Sequence, residues 1–473
     1  MRAMGGEEKL RALRGIRLEG SGHTYDMGES ERPEGPWLVI YFQFDEYADF
    51  EKGALRRSRE SRSVPSAEWR KSTTVLAGGV VANLNGDKST AADLAKKDAG
   101  EERLALGPER VLLNALAARD LEDEGDVVLQ RVPHHVVHFT LQGRRIRIFF
   151  NGETGLPTAV DWVAACRDLF WGVWGDVSTR VLFSAWDLLP GGFRYPRQWD
   201  TERNGVAWQS IGIGRIEFDP PRDDAAFAIS DDVARAFPAR SPSTIDEGPL
   251  GTAERPPQVL AEGIVEIPGF WNVTLVRQPD GVVVLEGPIA SSYSAKVLAE
   301  VKRRFPGVPV KAVISTSDAW PHIGGLREYV AEGIPIYVLD RNEPLVSRLL
   351  SAPHRIAPDK LALHPREPKW HLVSRKETLG EGDNRMDLYP IHTENGERMI
   401  MVHFPAHRVL YASDIVQTIQ PDGSFFFPGF LLEITEAVAR ENITVERVFA
   451  MHLGATPWER IVAAVQKARA GGR

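Results

Sequence analysis

The chain has one cysteine, Cys166, in 473 residues. A lone thiol cannot make an internal disulfide framework and cannot supply the paired cysteines of a zinc-finger site, so neither organises this fold. No apolar run approaches the ~18 residues that cross a bilayer as a helix. The opening Met1-Arg-Ala-Met-Gly-Gly-Glu-Glu lacks the apolar centre of a signal peptide. Lysine and arginine form no cluster and the formal net charge is −8, which leaves no basic footprint for nucleic acid. What is present, 26% charged and 43% hydrophobic residues, is a globular composition in a chain too long for one ordinary domain, so two domains are expected.

The first half reads as strand after strand. Ile16 to Gly22, Trp37 to Phe44, Val127 to Leu141, Arg144 to Phe150, Pro157 to Val163, Thr179 to Ala185, Phe193 to Asp200 and Val206 to Phe218 are β-rich. Turn signals such as Asn151-Gly152, Pro190-Gly-Gly192 and Arg203-Asn-Gly205 divide them. The expectation is an antiparallel, strongly curved sheet over residues 1–240, with a helix from about Pro108 to Ala118 whose Val111, Leu112, Ala115 and Leu116 share a stripe. In Val132-Pro-His-His-Val-Val-His138, strand alternation places His134 and His138 on one face and His135 on the other. With no carboxylate beside them in that phrase, a structural role is expected for the three rather than a metal site. Ser241-Pro-Ser243, Gly248-Pro-Leu-Gly251 and Arg255-Pro-Pro257 fit neither helix nor sheet period, which marks residues 241–257 as a linker and 258–473 as a second domain.

That second domain turns on Val313-Ile-Ser-Thr-Ser-Asp-Ala-Trp-Pro-His-Ile-Gly-Gly-Leu-Arg327, which reads as strand, polar loop, helix. The loop follows the carboxyl end of a buried strand, where layered α/β folds build their sites. Gly263 to Ile267, Asn272 to Val276 and Gly281-Val-Val-Val-Leu-Glu286 precede it as strands, and Ile334 to Asp340, Tyr389 to His403 and Arg408 to Asp414 follow. The class expected for the whole chain is therefore α+β: a curved antiparallel half-barrel sheet, then a four-layer αββα sandwich.

Thr316-Ser-Asp-Ala-Trp-Pro-His-Ile-Gly-Gly325 resembles, without a gap, the metallo-β-lactamase superfamily signature T-H-x-H-x-D-H-x-G-G. Thr316, His322, Gly324 and Gly325 match; Ser317, Ala319 and Pro321 stand where the signature has two histidines and an aspartate. His392-Thr393 is similar to the superfamily's next histidine, Val409-Leu-Tyr-Ala-Ser-Asp414 to its L-x-x-G-D strand with Ser413 for glycine, and Phe449-Ala-Met-His-Leu-Gly454 to its last histidine. The resemblance implies metal ligands at His322, His392, Asp414 and His452. It also implies that a two-metal centre, which needs about seven ligands, has been lost. His322, Asp414 and His452 would make a three-ligand zinc site with an open position for water, so at most one zinc per chain is expected, the metal-free state remaining open.

Two readings of function follow. In the first, a mononuclear metallo-hydrolase acts on an ester, lactone or amide, with Asp318, His322 and Asp414 as the catalytic set. Asp318 has a plainer account as a helix cap or solvated loop carboxylate. In the second, the four polar residues are a hydrogen-bonded remnant, His322 to Asp414 and His452 to a backbone carbonyl, and the chain binds an apolar or lipid-like ligand. The phrases Phe150-Asn-Gly-Glu-Thr-Gly-Leu-Pro-Thr-Ala159 and Tyr195-Pro-Arg-Gln-Trp199 are similar to those of outer-membrane lipoprotein carrier half-barrels, which suits the second reading. Gly5 to Leu13 resembles the segment that follows a cleaved export signal in similar bacterial two-domain proteins, so a bacterial, periplasmic or exported protein is expected. Trp271, Trp320 and Phe425 to Phe427 are candidates for an aromatic rim. His403 and His407 read as structural, and His354, His364 and His371 as surface residues. The partner expected is a small or lipid-like molecule; oligomeric state is not legible.

Overall fold

The computed structural model describes residues 1–27, 34–35, 37–63, 68–86, 88–240 and 248–471. The chain separates into two compact units. One comprises Met1–Asp26, Leu38–Gly172 and Asp176–Thr244, the other Met27–Trp37, Val173–Gly175 and Ile245–Arg473. Of the expected linker, 241–247 lie outside the described residues, and 248–257 contain neither helix nor strand.

In the first unit every strand pair is antiparallel, and thirteen described strands form one sheet. Its order runs from the edge strand Lys88–Ala91 through Val80–Asn85, Arg70–Ala77, Ala54–Ser63 and Leu38–Asp49 to Gly15–Asp26. It then continues backwards from Val206–Phe218 through Phe193–Arg203 and Asp176–Leu189 to the other edge, Glu122–Leu129. Among the described residues the edges do not pair, so this sheet is not closed into a barrel. Its middle joins the first strand to the last, Ile16 opposite Phe218. The run expected as one strand over 127–141 is a hairpin, Glu122–Leu129 and Val132–Leu141. Its turn residues Gln130 and Arg131 both take positive φ, which their side-chain types do not signal.

Helices Glu7–Ala12, Leu94–Leu106, Pro108–Ala117 and Asp231–Arg240 all add side chains to the sheet's core. Pro108–Ala117 starts on a proline at its first turn, as the sequence indicates. Leu94–Leu106 was not expected, because its apolar positions are sparse; it begins on Asp93, whose carboxylate accepts from the Lys96 amide at 2.9 Å. Leu106, Val111, Leu112 and Ala115 join Ile16, Leu18, Phe139 and Ile146 in one core.

The second unit stacks two sheets. The first has Gln258–Ala261, Ile264–Ile267, Val273–Gln278 and Gly281–Leu285 antiparallel, then Val310–Ile314, Ile336–Leu339 and Trp370–Val373 in parallel. Parallel strands are buried on both faces and read as unbroken apolar runs, as Gly281–Leu285 does. The second sheet orders Glu377–Leu379, Met386–Pro390, Ile400–Phe404, Val409–Tyr411, Arg447–Ala450 and Leu453–Pro457. Val283, Leu285, Ala312 and Ile314 of one sheet meet Leu388, Val402, Tyr411 and Phe449 of the other. Helices Pro428–Arg440 and Trp458–Arg469 bury Leu431, Ile434, Ile461 and Val465 on the outer face of the second sheet. Val297 and Val301 of helix Ser291–Arg304 are fully buried, as are Val284 and Val313 of the first sheet, none of them part of the core between the sheets.

Candidate functional site

The polar loops of the second unit gather where its strands end. Thr316 to Asp318 follow Ile314, Ser413 and Asp414 follow the strand ending at Tyr411, and His452 sits in the turn after Ala450. His322 lies in the single turn Trp320–Ile323, at 0% exposure. The glycines after it permit close backbone contact: a Cβ on Gly325 would lie 2.0 Å from Ser294 Oγ and 2.7 Å from Pro288 O.

Sequence reasoning passed over the residue at the centre. Glu286 closes the buried strand Gly281–Leu285 in left-handed backbone, φ 82°, and is fully buried. Its carboxyl accepts from Thr316 Oγ1 at 2.5 Å and Tyr411 OH at 2.7 Å. Its Oε2 lies 2.7 Å from His322 Nδ1, off the line of an aligned hydrogen bond. On the other side of the ring, His322 Nε2 is 2.7 Å from Asp414 Oδ2, and His452 Nε2 is 3.1 Å from Asp414 Oδ1. The result is a chain, Glu286, His322, Asp414, His452. The readable signal was a glutamate ending five apolar strand residues before Gly287-Pro288. Ser413 also has a reason: it takes φ 51°, a conformation that glycine reaches more readily, and its Oγ donates to the Thr316 carbonyl at 3.2 Å.

Charge in this chain is settled by neighbours rather than by water. Burial opposes a charge on His322, but Asp414 and Glu286 beside it raise its pKa well above the usual imidazole range. Burial likewise opposes ionisation of Asp414, yet His322 and His452 hold it far below the usual carboxylate range. Asp318, buried and without a cation in hydrogen-bond contact among the described residues, is pushed by burial up to about 7. Glu266, on strand Ile264–Ile267, is also pushed by burial up to about 7, although Asn272 Nδ2 donates to it at 3.0 Å.

The remaining expected residues fall outside the chain. His392 is exposed, in left-handed backbone at φ 55°, and no described hydrogen bond or ion pair joins it to His322 or Asp414. Ser317 Oγ accepts from the Ala319 amide at 3.2 Å, a local turn. Trp271 packs edge-on to Trp320 at 5.0 Å and 6.4 Å from the His452 ring. His403 and His407 meet Thr444 O and Asn384 Oδ1 at 3.1 and 2.9 Å, in structural contacts. Two expectations need correcting. The His354 side chain is only 10% exposed, not on the surface. Carboxylates do reach the N-terminal histidines, Asp126 at 2.9 Å from His135 and Glu122 at 3.4 Å from His138, because the partner strand Glu122–Leu129 carries them.

Solved metallo-β-lactamases are among the chains this one resembles. DIM-1 metallo-beta-lactamase matches at 14% identity and TM-score 0.36, over 48% of this chain and 100% of its own. TMB-1 matches at 12% and 0.34, over 46% and 98%. The inverting sec-alkylsulfatase Pisa1 from Pseudomonas sp. matches at 12% and 0.34, over 46% and 41%. No family model and no curated protein matches the chain.

A zinc ion does not fit the residues as they are placed. Two ligands each ~2.0–2.1 Å from one tetrahedral ion lie roughly 3.3 Å apart; His322 Nε2 instead has Asp414 Oδ2 at 2.7 Å, the spacing of a shared proton. Nε2 of that ring is taken by Asp414, Nδ1 has Glu286 beside it without an aligned hydrogen bond, and Ala319 and Pro321 carry no donor. Among the described residues no group of three or more His, Cys, Asp or Glu side chains is arranged to hold an ion.

The first unit contains a different kind of site. A cavity of about 360 Å³ lies between its sheet and helix Leu94–Leu106, walled by Ile40, Phe42, Trp162, Phe183, Ile211 and Ile213. Near Leu18, which pairs with Glu46 in the sheet, its charges are matched. Glu46 accepts from Arg57 at 2.6 Å and Arg103 at 2.6 Å; Arg103 donates to Glu109 at 2.7 Å, and Tyr195 OH donates to Glu109 at 2.9 Å. A Cβ on Gly107 would lie 2.3 Å from Arg103 Nη1 and 2.6 Å from Glu109 Oε1, so a side chain there would displace the ends of this ion pair.

Proposed function

We propose that this chain is a binding protein for an apolar or lipid-like small molecule, held in the cavity of the first unit, and that the second unit has lactamase-like layering without a metal centre. The observation that carries the reading is the cavity: about 360 Å³ with aromatic and aliphatic walls, in the size range of small-molecule sites. The His322 contacts support the second half of the reading. The test is binding of a neutral apolar fluorophore, N-phenyl-1-naphthylamine, to the full chain. Saturable binding to one site is expected, and Ile211→Trp, which fills the cavity, is expected to abolish it. No saturable binding, or binding unchanged in Ile211→Trp, overturns the reading.

Metal analysis separates this from hydrolysis. After incubation with zinc and gel filtration, the full chain is expected to retain no stoichiometric zinc. One zinc per chain that is lost in Asp414→Ala, together with turnover of an ester, lactone or amide, would instead establish the mononuclear hydrolase.

A further inference from the structure

The cavity wall carries two arginines that no carboxylate pairs directly among the described residues. Four arginines line the cavity. Arg57 and Arg103 are matched by Glu46 and Glu109. Arg59 and Arg203 have no carboxylate within 4.0 Å among the described residues. Arg59 lies over the Phe42 ring at 3.7 Å and Arg203 over Trp208 at 3.7 Å, and neither guanidinium is fully hydrogen-bonded: Arg59 Nε, Arg203 Nε and Arg203 Nη1 are buried donors without an acceptor. Glu102, also in the lining, is hydrogen-bonded by Arg144 at 2.5 Å and feels the charge of Arg203 without pairing with it.

Neighbouring groups extend this polar wall. Arg59 Nη2 and Gln209 Nε2 both donate to Thr24 Oγ1, at 3.3 and 3.1 Å. Thr24 faces Gln209 across the sheet and Gln209 faces Thr201, two residues before Arg203 on the same strand. Burying guanidinium N–H donors without an acceptor is costly, and two arginines that do so beside an apolar chamber suit an anion that arrives with an apolar body. Burial lowers the Arg59 pKa to about 10, which leaves it cationic at neutral pH.

Resting on the binding reading above, we propose that the cavity takes a single-tailed amphiphile with a compact anionic head, the head received by Arg59 and Arg203 and the tail lying among Phe42, Phe183 and Ile211. A volume of about 360 Å³ accommodates on the order of a dozen or more non-hydrogen atoms at ~30 Å³ each, which suits one acyl chain rather than two. Planar, forked guanidinium groups suit carboxylate or phosphate oxygens. The head can come from a fatty acid or from a single-chain phospholipid.

Displacement of N-phenyl-1-naphthylamine from the full chain tests this with decanoate, decyl phosphate and 1-decanol. At least one of the two anions is expected to displace the probe at a concentration about ten-fold lower than the alcohol does, although the alcohol is the less water-soluble ligand. Decanoate acting alone assigns a carboxylate head, and decyl phosphate acting alone a phosphate head. In Arg59→Gln/Arg203→Gln the preference is expected to vanish while the probe still binds, which also shows that the sheet is folded; Arg59→Lys in place of Arg59→Gln should restore part of it. If 1-decanol competes as well as both anions, or the preference survives the double substitution, the anionic head is wrong and apolar binding stands. If the probe itself does not bind, the binding reading falls first.

Discussion

Replacing His322 with alanine is expected to lower the stability of the second unit by about 3–5 kcal/mol, the cost of removing one partner from a buried ion pair. The imidazole has a carboxyl oxygen 2.7 Å from each nitrogen and no exposure to water, so its loss strands Asp414 in a dry interior. The cost should be constant below about pH 6.5 and shrink as pH rises above it. A histidine whose folded pKa is raised contributes fully below its unfolded value near 6.5; above that the unfolded chain loses its proton while the folded ring keeps its own, so the contribution declines with each step of pH up to the folded value, which here lies well above. Asp414, with a depressed folded pKa, contributes above its ordinary value of 3.8 and loses that only as pH falls below it. Urea unfolding of His322→Ala, Asp414→Ala and the double variant between pH 5 and 8 measures this. The double variant should cost less than the sum of the singles. A His322→Ala cost under about 1 kcal/mol would mean that the ring is not held as an imidazolium.

Stability of the second unit should fall as pH rises from about 5 to 8, the opposite of the usual carboxylate behaviour. Glu266 has an ordinary value of 4.5 and a folded value of about 7. Below 4.5 both states are protonated and the group contributes nothing. Between 4.5 and 7 only the unfolded chain ionises, so each step upward favours unfolding, and above 7 the whole penalty applies, on the order of 3 kcal/mol. Asp318, with an ordinary value of 3.8 and a folded value of about 7, acts over the same window in the same direction. Glu266→Gln keeps an acceptor for Asn272 and removes the titration, so at pH 8 it should be more stable than the natural chain by up to about 3 kcal/mol, and nearly equal at pH 4.5. Equal stability at pH 8, or a slope unchanged by both Glu266→Gln and Asp318→Asn, would show that these carboxyls are hydrated.

Elements with a clear period were legible in the sequence, and those without one were not. The helix at Pro108, the strand ending at Ile314 and the alternation of strands and helices after it all followed from apolar spacing and turn residues. The strand Ala54–Ser63 did not. In Ala54-Leu-Arg-Arg-Ser-Arg-Glu-Ser-Arg-Ser63 both faces are polar, because Arg57 and Arg59 point into a cavity rather than into water. Glu286 escaped for a related reason: its importance lies in three neighbours, Thr316, His322 and Tyr411, that are 30 or more residues distant in sequence, and no local pattern encodes them. The signature loop drew attention to His322 and Asp414 and indicated that they belong together. It could not show that the third member would be a glutamate from another strand, or that His392 would face solvent.

The pairing of Gly15–Asp26 with Val206–Phe218 has a bearing on how the chain is made. Ile16 must wait for Phe218, 202 residues later in synthesis, before the middle of its sheet can close. At ribosomal rates of about 5–20 residues per second that is roughly 10–40 s. During that interval the strands from Gly15 to Ala91 and from Glu122 to Arg203 exist as two separate blocks, each with an unpaired inner border able to capture a strand from another chain. A delay of that length favours an escort for the nascent chain, and places the step at which the ligand cavity first exists at the very end of the first unit's translation.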